Sequence, residues 1–304
     1  MASTHIFSII IPHHDIPTLL QRCLDSIPDV PEVQVIVVDD NSSEQKVDFE
    51  HFPGLNRKHT QCIFDKEGGG AGHARNIGLR NADGKWLVFA DADDFFTKEA
   101  FHILDKHKEA PCDILLFKSN SVNSEDLSPS NRFADLNNAI DDALAGKIDN
   151  KTAVLSRPGP VCKMFRRSYI QQKGIWFDEI KASNDLMFVF KATCWSQDDA
   201  VTVSDETLYT VTTRKGSLVE ERFTNPDNYL CRMEVQIRRN KFLKDYPKFK
   251  KEPIIVWLTR SRRLGIKTFL RALSLIIRKG ALFSGFGTLM KSVKNHIIRY
   301  SIKL

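Results

Sequence analysis

The stretch Lys85-Trp-Leu-Val-Phe-Ala-Asp91-Ala-Asp93-Asp94 constrains this chain more than any other. Five apolar residues in a row read as a buried strand, and that strand stops on three carboxylates within four positions. Negative charge packed so closely is stable only where water or a cation neutralises it. On an extended chain, alternation puts Asp91 and Asp93 on one side, where they can face a single divalent ion. Hard oxygen ligands favour Mn²⁺ or Mg²⁺, and such sites complete their shell with substrate phosphates. The plainer reading is a solvated strand end, with Asp94 capping a helix that starts at Thr97.

The preceding chain repeats the pattern. Ile6 to Pro12 and Val33 to Val38 are β-branched runs that read as buried strands. They end in Pro12-His13-His14-Asp15 and in Asp39-Asp40-Asn41-Ser42-Ser43. Gln61 to Phe64 is a weaker strand. Helical spacing appears between Ile16 and Ile27, from about Ala71 to Ala82, and from Thr97 to Glu109; Asp113 to Lys118 is a fifth strand. Strand and helix in alternation predict an α/β doubly wound sheet, mostly parallel. Parallel strands would bring all three polar ends to one edge, where such sheets bind ligands.

The glycine run Glu67-Gly-Gly-Gly-Ala-Gly72 fits neither a dinucleotide fingerprint nor a P-loop, because the required spacing and the following Lys-Ser/Thr are absent. It reads as a helix start, or as a substrate-facing turn in which Arg75 suits a phosphate; His73 reads as a surface histidine. Residues 119–132 are turn-rich and read as a surface loop. Gly159 to Arg167 is a strand leading into a helix, and Asp185 precedes a helix over Leu186 to Trp195, where capping is its commoner role. Val201 to Val203 and Leu208 to Thr213 are strands, the second ending near Arg214 and Ser217.

Charge divides the chain. Residues 253–304 carry eleven Lys/Arg and no Asp or Glu; the whole chain is +6, so residues 1–252 carry 6 − 11 = −5. The expected domains are therefore 1–224 and a basic helical region, 225–304. Aromatic and aliphatic residues interleaved with arginine there suit an anionic membrane surface; nucleic acid is disfavoured because no binding module accompanies the charge. A plain helical subdomain with a solvated basic face is the third reading. Six scattered cysteines, with no Cys-x-x-Cys pair, read as reduced core residues. No signal peptide pattern opens the chain and no apolar run approaches the ~18–20 residues needed to span a bilayer. The expected location is cytoplasmic, with peripheral attachment to the inner face of the plasma membrane.

From about residue 6 to 218 the chain resembles the family 2 glycosyltransferases, inverting enzymes of the GT-A fold. The resemblance is carried by Ser8-Ile-Ile-Ile-Pro12, Val37-Val-Asp-Asp40-Asn-Ser-Ser, Gly72-His-Ala-Arg75-Asn76-Ile-Gly78, Phe89-Ala-Asp91-Ala-Asp93-Asp94, Val161-Cys-Lys163-Met-Phe-Arg-Arg167-Ser and Asn184-Asp185. It implies a GT-A-like mixed sheet flanked by helices, and a nucleoside-diphosphate sugar, UDP-sugar first, as donor. It implies that Asp40 binds the base, Asp91 and Asp93 the ribose and the metal–diphosphate, and Asp185 acts as general base. Pro12, His14, Asp15 and Arg75 complete the nucleotide-sugar pocket, and Arg214 and Ser217 close over the diphosphate. The chain departs from the family pattern in two places: His14-Asp15 replaces the usual aromatic and Asn, and Asn184 replaces Glu. The implied activity is transfer to a hydroxyl of a glycan or lipid-linked acceptor in cell-surface polysaccharide synthesis. The alternative is a catalytically silent nucleotide-sugar or glycan-binding module of the same fold.

Overall fold

A computed structural model describes residues 5–214, 224–285 and 287. It divides into two compact units, Met1–Ile180 with Asn184–Arg214, and Lys181–Ser183 with Lys215–Leu304.

The first unit is built on an eight-stranded sheet. Its strands are β1 (Phe7–His13), β2 (Val33–Asp40), β3 (Thr60–Asp65), β4 (Trp86–Phe89), β5 (Phe95–Phe96), β6 (Ile114–Asn123), β7 (Lys163–Arg166) and β8 (Val201–Thr213), in the order β3-β2-β1-β4-β7-β6-β8-β5. β1 runs parallel to both β2 and β4, and β2 to β3, so these strands share one carboxyl edge. β7 is antiparallel to β4 and β6, and β5 to β8. β6 and β8 are again parallel, so the sheet is mixed but mostly parallel, its antiparallel pairings confined to the short β5 and β7. The predicted strand runs are buried on both faces: Ile9, Ile10 and Ile11 of β1 and Val35 to Val38 of β2 are all fully enclosed.

Helices α1 (Pro17–Asp25), α2 (Ala71–Asn81), α3 (Ala100–Lys106), α4 (Ala134–Leu144), α5 (Asn150–Ser156), α6 (Arg167–Gln172) and α7 (Leu186–Trp195) belong to this unit. α2 packs unusually close to its neighbours. A Cβ at Gly72 would stand 2.1 Å from the Asp178 carbonyl oxygen, and one at Gly78 would stand 2.4 Å from Ile10 Cγ2. Both positions need glycine for space, not for a turn. α7 is buried all round, its Phe188 stacked on Phe177 at 4.0 Å and set edge-on against Phe89 and Phe165.

Three local expectations change. The helix predicted over Thr97 to Glu109 is regular only over Ala100–Lys106, because Thr97 is tied by its hydroxyl to the Thr207 and Leu208 carbonyls at the end of the β5–β8 pair. The predicted loop at 119–132 begins as strand: Ser119 to Asn123 pair with Tyr209 to Thr213. The two strands expected between 201 and 213 are one, β8, with irregular register around Lys118.

The second unit contains α8 (Pro226–Phe242), α9 (Ile254–Ser261), a short 3₁₀ turn (Arg262–Leu264) and α10 (Ile266–Lys279). Tyr229, Met233 and Ile237 of α8 pack with Ile254, Trp257 and Leu258 of α9 and Ala272, Leu275 and Ile276 of α10. No described helix is long and apolar enough to cross a membrane. No disulfide joins any of the six cysteines, all of which lie among the described residues.

Candidate active site

Immediately past β4 the chain does not stay extended. Asp94 donates its N–H to the Asp91 carbonyl (3.0 Å), closing a tight turn. The turn, not strand alternation, gathers the carboxylates: Asp91, Asp93 and Asp94 each offer an oxygen within 4.8 Å of the others. Asp94 does not cap a helix. It is buried and accepts the Thr212 N–H (2.7 Å), which ties the turn to β8. Burial, then the neighbouring Asp91 and Asp93, raise its carboxyl well above the usual range.

Each of the other two carboxylates holds an arginine. Arg75 of α2, itself buried, donates to Asp91 Oδ1 (2.6 Å) and to Asn184 Oδ1 (3.1 Å). Arg214 donates from Nε to Asp93 Oδ2 (2.9 Å). The backbone beneath is fixed independently of these side chains, since Arg22 and Thr212 both donate to the Asp93 carbonyl. Three converging carboxylates fit a divalent cation in donor type; because Arg75 and Arg214 already offset two of their charges, the rest of the charge and shell would come from a substrate's phosphates.

Beside the turn lie the ends of β1 and β2. Pro12 pairs with Val38 and His13 with Asp39. His13 Nδ1 lies 2.7 Å from Asp39 Oδ1, and its Nε2 accepts the Ile16 N–H (3.2 Å), so the ring proton sits on Nδ1. Ser42 donates both its N–H and its hydroxyl to Asp39. Burial pushes the Asp39 carboxyl up, but the hydrogen bonds from His13 and Ser42 outweigh it and hold the group below the usual range. This buried cluster was not anticipated. Its one sequence signal was the repeated Asp39-Asp40 opposite His13-His14.

The next residues, Asp40 and His14, face outward. Asp40 accepts the Gly70 N–H (3.0 Å), and the His14 ring, bonded through Nδ1 to the Asp40 carbonyl (2.8 Å), is largely exposed. Asp15 accepts from the Ser43 N–H (2.8 Å) and Lys46 (2.9 Å), organising the loop after β2. His73 is mostly enclosed rather than at the surface, with Nδ1 3.1 Å from Glu179 Oε2 and Nε2 3.6 Å from both Asp65 and Glu67.

Asp185 occupies the N-cap position of α7, in helical backbone geometry, and its side chain makes no cap hydrogen bond. It follows Asn184, the residue Arg75 holds. Ser217 lies outside the described residues.

A mixed sheet with an acidic turn at its carboxyl edge, beside two polar strand ends, defines the GT-A class of fold. The pattern of Glycosyl transferase family 2 matches residues 8–172, more than half of the sequence, and the chain belongs to that family. It is similar to the poly(ribitol-phosphate) beta-N-acetylglucosaminyltransferase TarS of Staphylococcus aureus, 27% identical over 234 residues, covering 73% of this chain and 38% of TarS. It is also similar to a poly(ribitol-phosphate) beta-glucosyltransferase of Bacillus spizizenii, 28% identical, covering 75% of this chain and 35% of that one. The chain thus spans little more than a third of the length of these relatives. Among solved structures, residues 1–349 of S. aureus TarS in complex with UDP-GlcNAc superpose with a TM-score of 0.61, at 23% identity over 91% of this chain and 83% of that one. At that identity the likeness speaks for the fold.

Proposed function

We propose that the chain is a metal-dependent inverting glycosyltransferase that moves a sugar from a UDP-sugar to a hydroxyl of a cell-surface polymer or its lipid-linked precursor. One observation carries this reading: a single buried guanidinium, Arg75, holds both Asp91 of the acidic turn and Asn184, the neighbour of Asp185. A donor-side carboxylate and the segment bearing the candidate base are thereby set in one frame. The two curated relatives share a poly(ribitol-phosphate) acceptor in their names and differ in the sugar, which supports a polyol-phosphate polymer as the acceptor class.

In this reading Pro12, His14, Asp15 and Asp40 frame the nucleoside, with the exposed His14 ring in place of the usual aromatic. Arg75, Arg214 and Ser217 contact the diphosphate, and Asp91 and Asp93 would hold Mn²⁺ or Mg²⁺. The ion, when bound, supplies positive charge against the leaving diphosphate. Asp185 accepts the acceptor's hydroxyl proton as that oxygen bonds to the anomeric carbon and the carbon–diphosphate bond breaks. A single base opposite the leaving group inverts the anomeric centre.

The basic second unit attaches the protein peripherally to the inner face of the plasma membrane. Ile266, Leu270 and Ile277 of α10 are exposed at 71%, 56% and 67%, beside Lys267, Arg271 and Arg278. Apolar side chains bordered by cations suit an anionic lipid surface.

Asp185→Asn tests the core of the proposal, because it keeps the side chain's shape, removes the ionisable carboxyl and puts no cap hydrogen bond at stake. Loss of a general base predicts about 10²–10⁴-fold slower transfer with UDP-sugar affinity unchanged. Near-normal transfer would remove Asp185 from the chemistry.

A further inference from the structure

Lys163 is a buried cation to which the reading above gives no task. It opens β7, is 1% exposed, and donates its ammonium hydrogens to the carbonyls of Gly159 (2.7 Å), Arg157 (3.2 Å) and Val161 (3.4 Å). Burial pushes it down to about 8. A buried ammonium bonded only to neutral carbonyls is costly, and a methionine would fill the same space without that cost.

Two features of the surroundings give the charge a purpose. The carbonyls it gathers form a loop that lies against the candidate base: a Cβ added at Gly159 would stand 3.6 Å from Asp185 Oδ2. The backbone of that loop is also strained where it meets the lysine: Cys162, the residue before it, has φ +63°. Left-handed backbone at a side-chain-bearing residue is strained and persists only where the surroundings enforce it. Three hydrogen bonds from one buried ammonium are such an enforcement.

Resting on Asp185 as the base, we propose that Lys163 is its positioning residue: the ammonium draws residues 157–161 into the wall beside the carboxylate and places a positive charge near it. The lysine touches neither donor nor acceptor.

Lys163→Met keeps the volume and removes the charge. It is expected to lower kcat about 10–100-fold, the scale of a small misplacement in an active site. The donor KM should be unchanged, and the acid limb of the pH–rate profile should move to higher pH, because an ionised carboxylate loses a nearby cation. A variant with a lower melting temperature but wild-type kcat and pH profile would make Lys163 a merely structural residue and overturn the proposal. Should Lys163→Met not fold, Gly159→Val leaves the lysine in place and crowds the wall. It is expected to lower kcat at constant donor KM, and unchanged kcat overturns the proposal. Asp185→Asn measured alongside separates the two claims. An active Asp185→Asn enzyme defeats the base assignment, whereas an inactive one beside a normal Lys163→Met enzyme defeats only the positioning role.

Discussion

At the acidic turn each carboxylate raises the electrostatic cost of the others, and the protein offsets two of them with arginine and gives the third the Thr212 N–H. That division predicts different roles for neighbouring positions. Asp93 touches Arg214 through its side chain, but its backbone is held separately by Arg22 and Thr212. Asp93→Ala should therefore leave unfolding stability within about 0.5 kcal/mol, as for most substitutions without a buried partner. It should weaken Mn²⁺-dependent UDP binding at least about tenfold, the loss of a charged ligand contact. Calorimetry with UDP and Mn²⁺ decides it, and unchanged affinity would exclude Asp93 as a ligand. The Asp91/Asp93 pair was legible because carboxylates ending a buried strand demand an explanation. Asp39 was not: two adjacent Asp residues look alike until strand pairing sets one opposite His13.

Among the elements, legibility followed hydrophobicity. The apolar runs of β1, β2 and β4 announce themselves, whereas Ser119 to Asn123 is polar and becomes strand only because β8 offers it a partner. β7 gives no hint of its direction, since a short buried strand reads the same either way. The α3–β8 junction shows what holds a polar stretch in place. Glu206 of β8 accepts from Lys106 (2.8 Å) and from Ser204 (2.8 Å), and lies 2.5 Å from His107 Nε2. Burial raises its carboxyl, but hydrogen bonds from Lys106, His107 and Ser204 prevail and hold it at about 2, against 4.5 unperturbed. The folded form thus binds its proton more weakly than the unfolded chain, so this stabilisation is complete above pH 4.5 and fades as pH falls toward 2. Glu206→Gln is expected to cost about 1–2 kcal/mol at pH 7, on the order of a charge-assisted hydrogen bond. The gap to wild type should narrow as unfolding is measured at progressively lower pH through that window, and a gap constant from pH 7 to 3 would contradict the assignment.

For the whole molecule, charge separates the two units more sharply than secondary structure does, and the basic part carries an exposed apolar face on α10. The 304-residue chain should float with vesicles containing phosphatidylglycerol and not with purely zwitterionic ones. High salt should release it, each engaged Lys or Arg contributing roughly 1 kcal/mol. Replacing Ile266, Leu270 and Ile277 together by Ser should abolish flotation while UDP binding persists. Flotation undiminished in that variant would take α10 out of membrane attachment. The two glycines of α2 have a consequence of another kind. With Gly72 and Gly78 leaving no room even for a methyl group, inheritance cannot slide that helix, and Arg75 with it, by small steps. Diversification among descendants of this sequence must therefore proceed where side chains stand clear, as His14 does, while the placement of Arg75 is passed on unaltered.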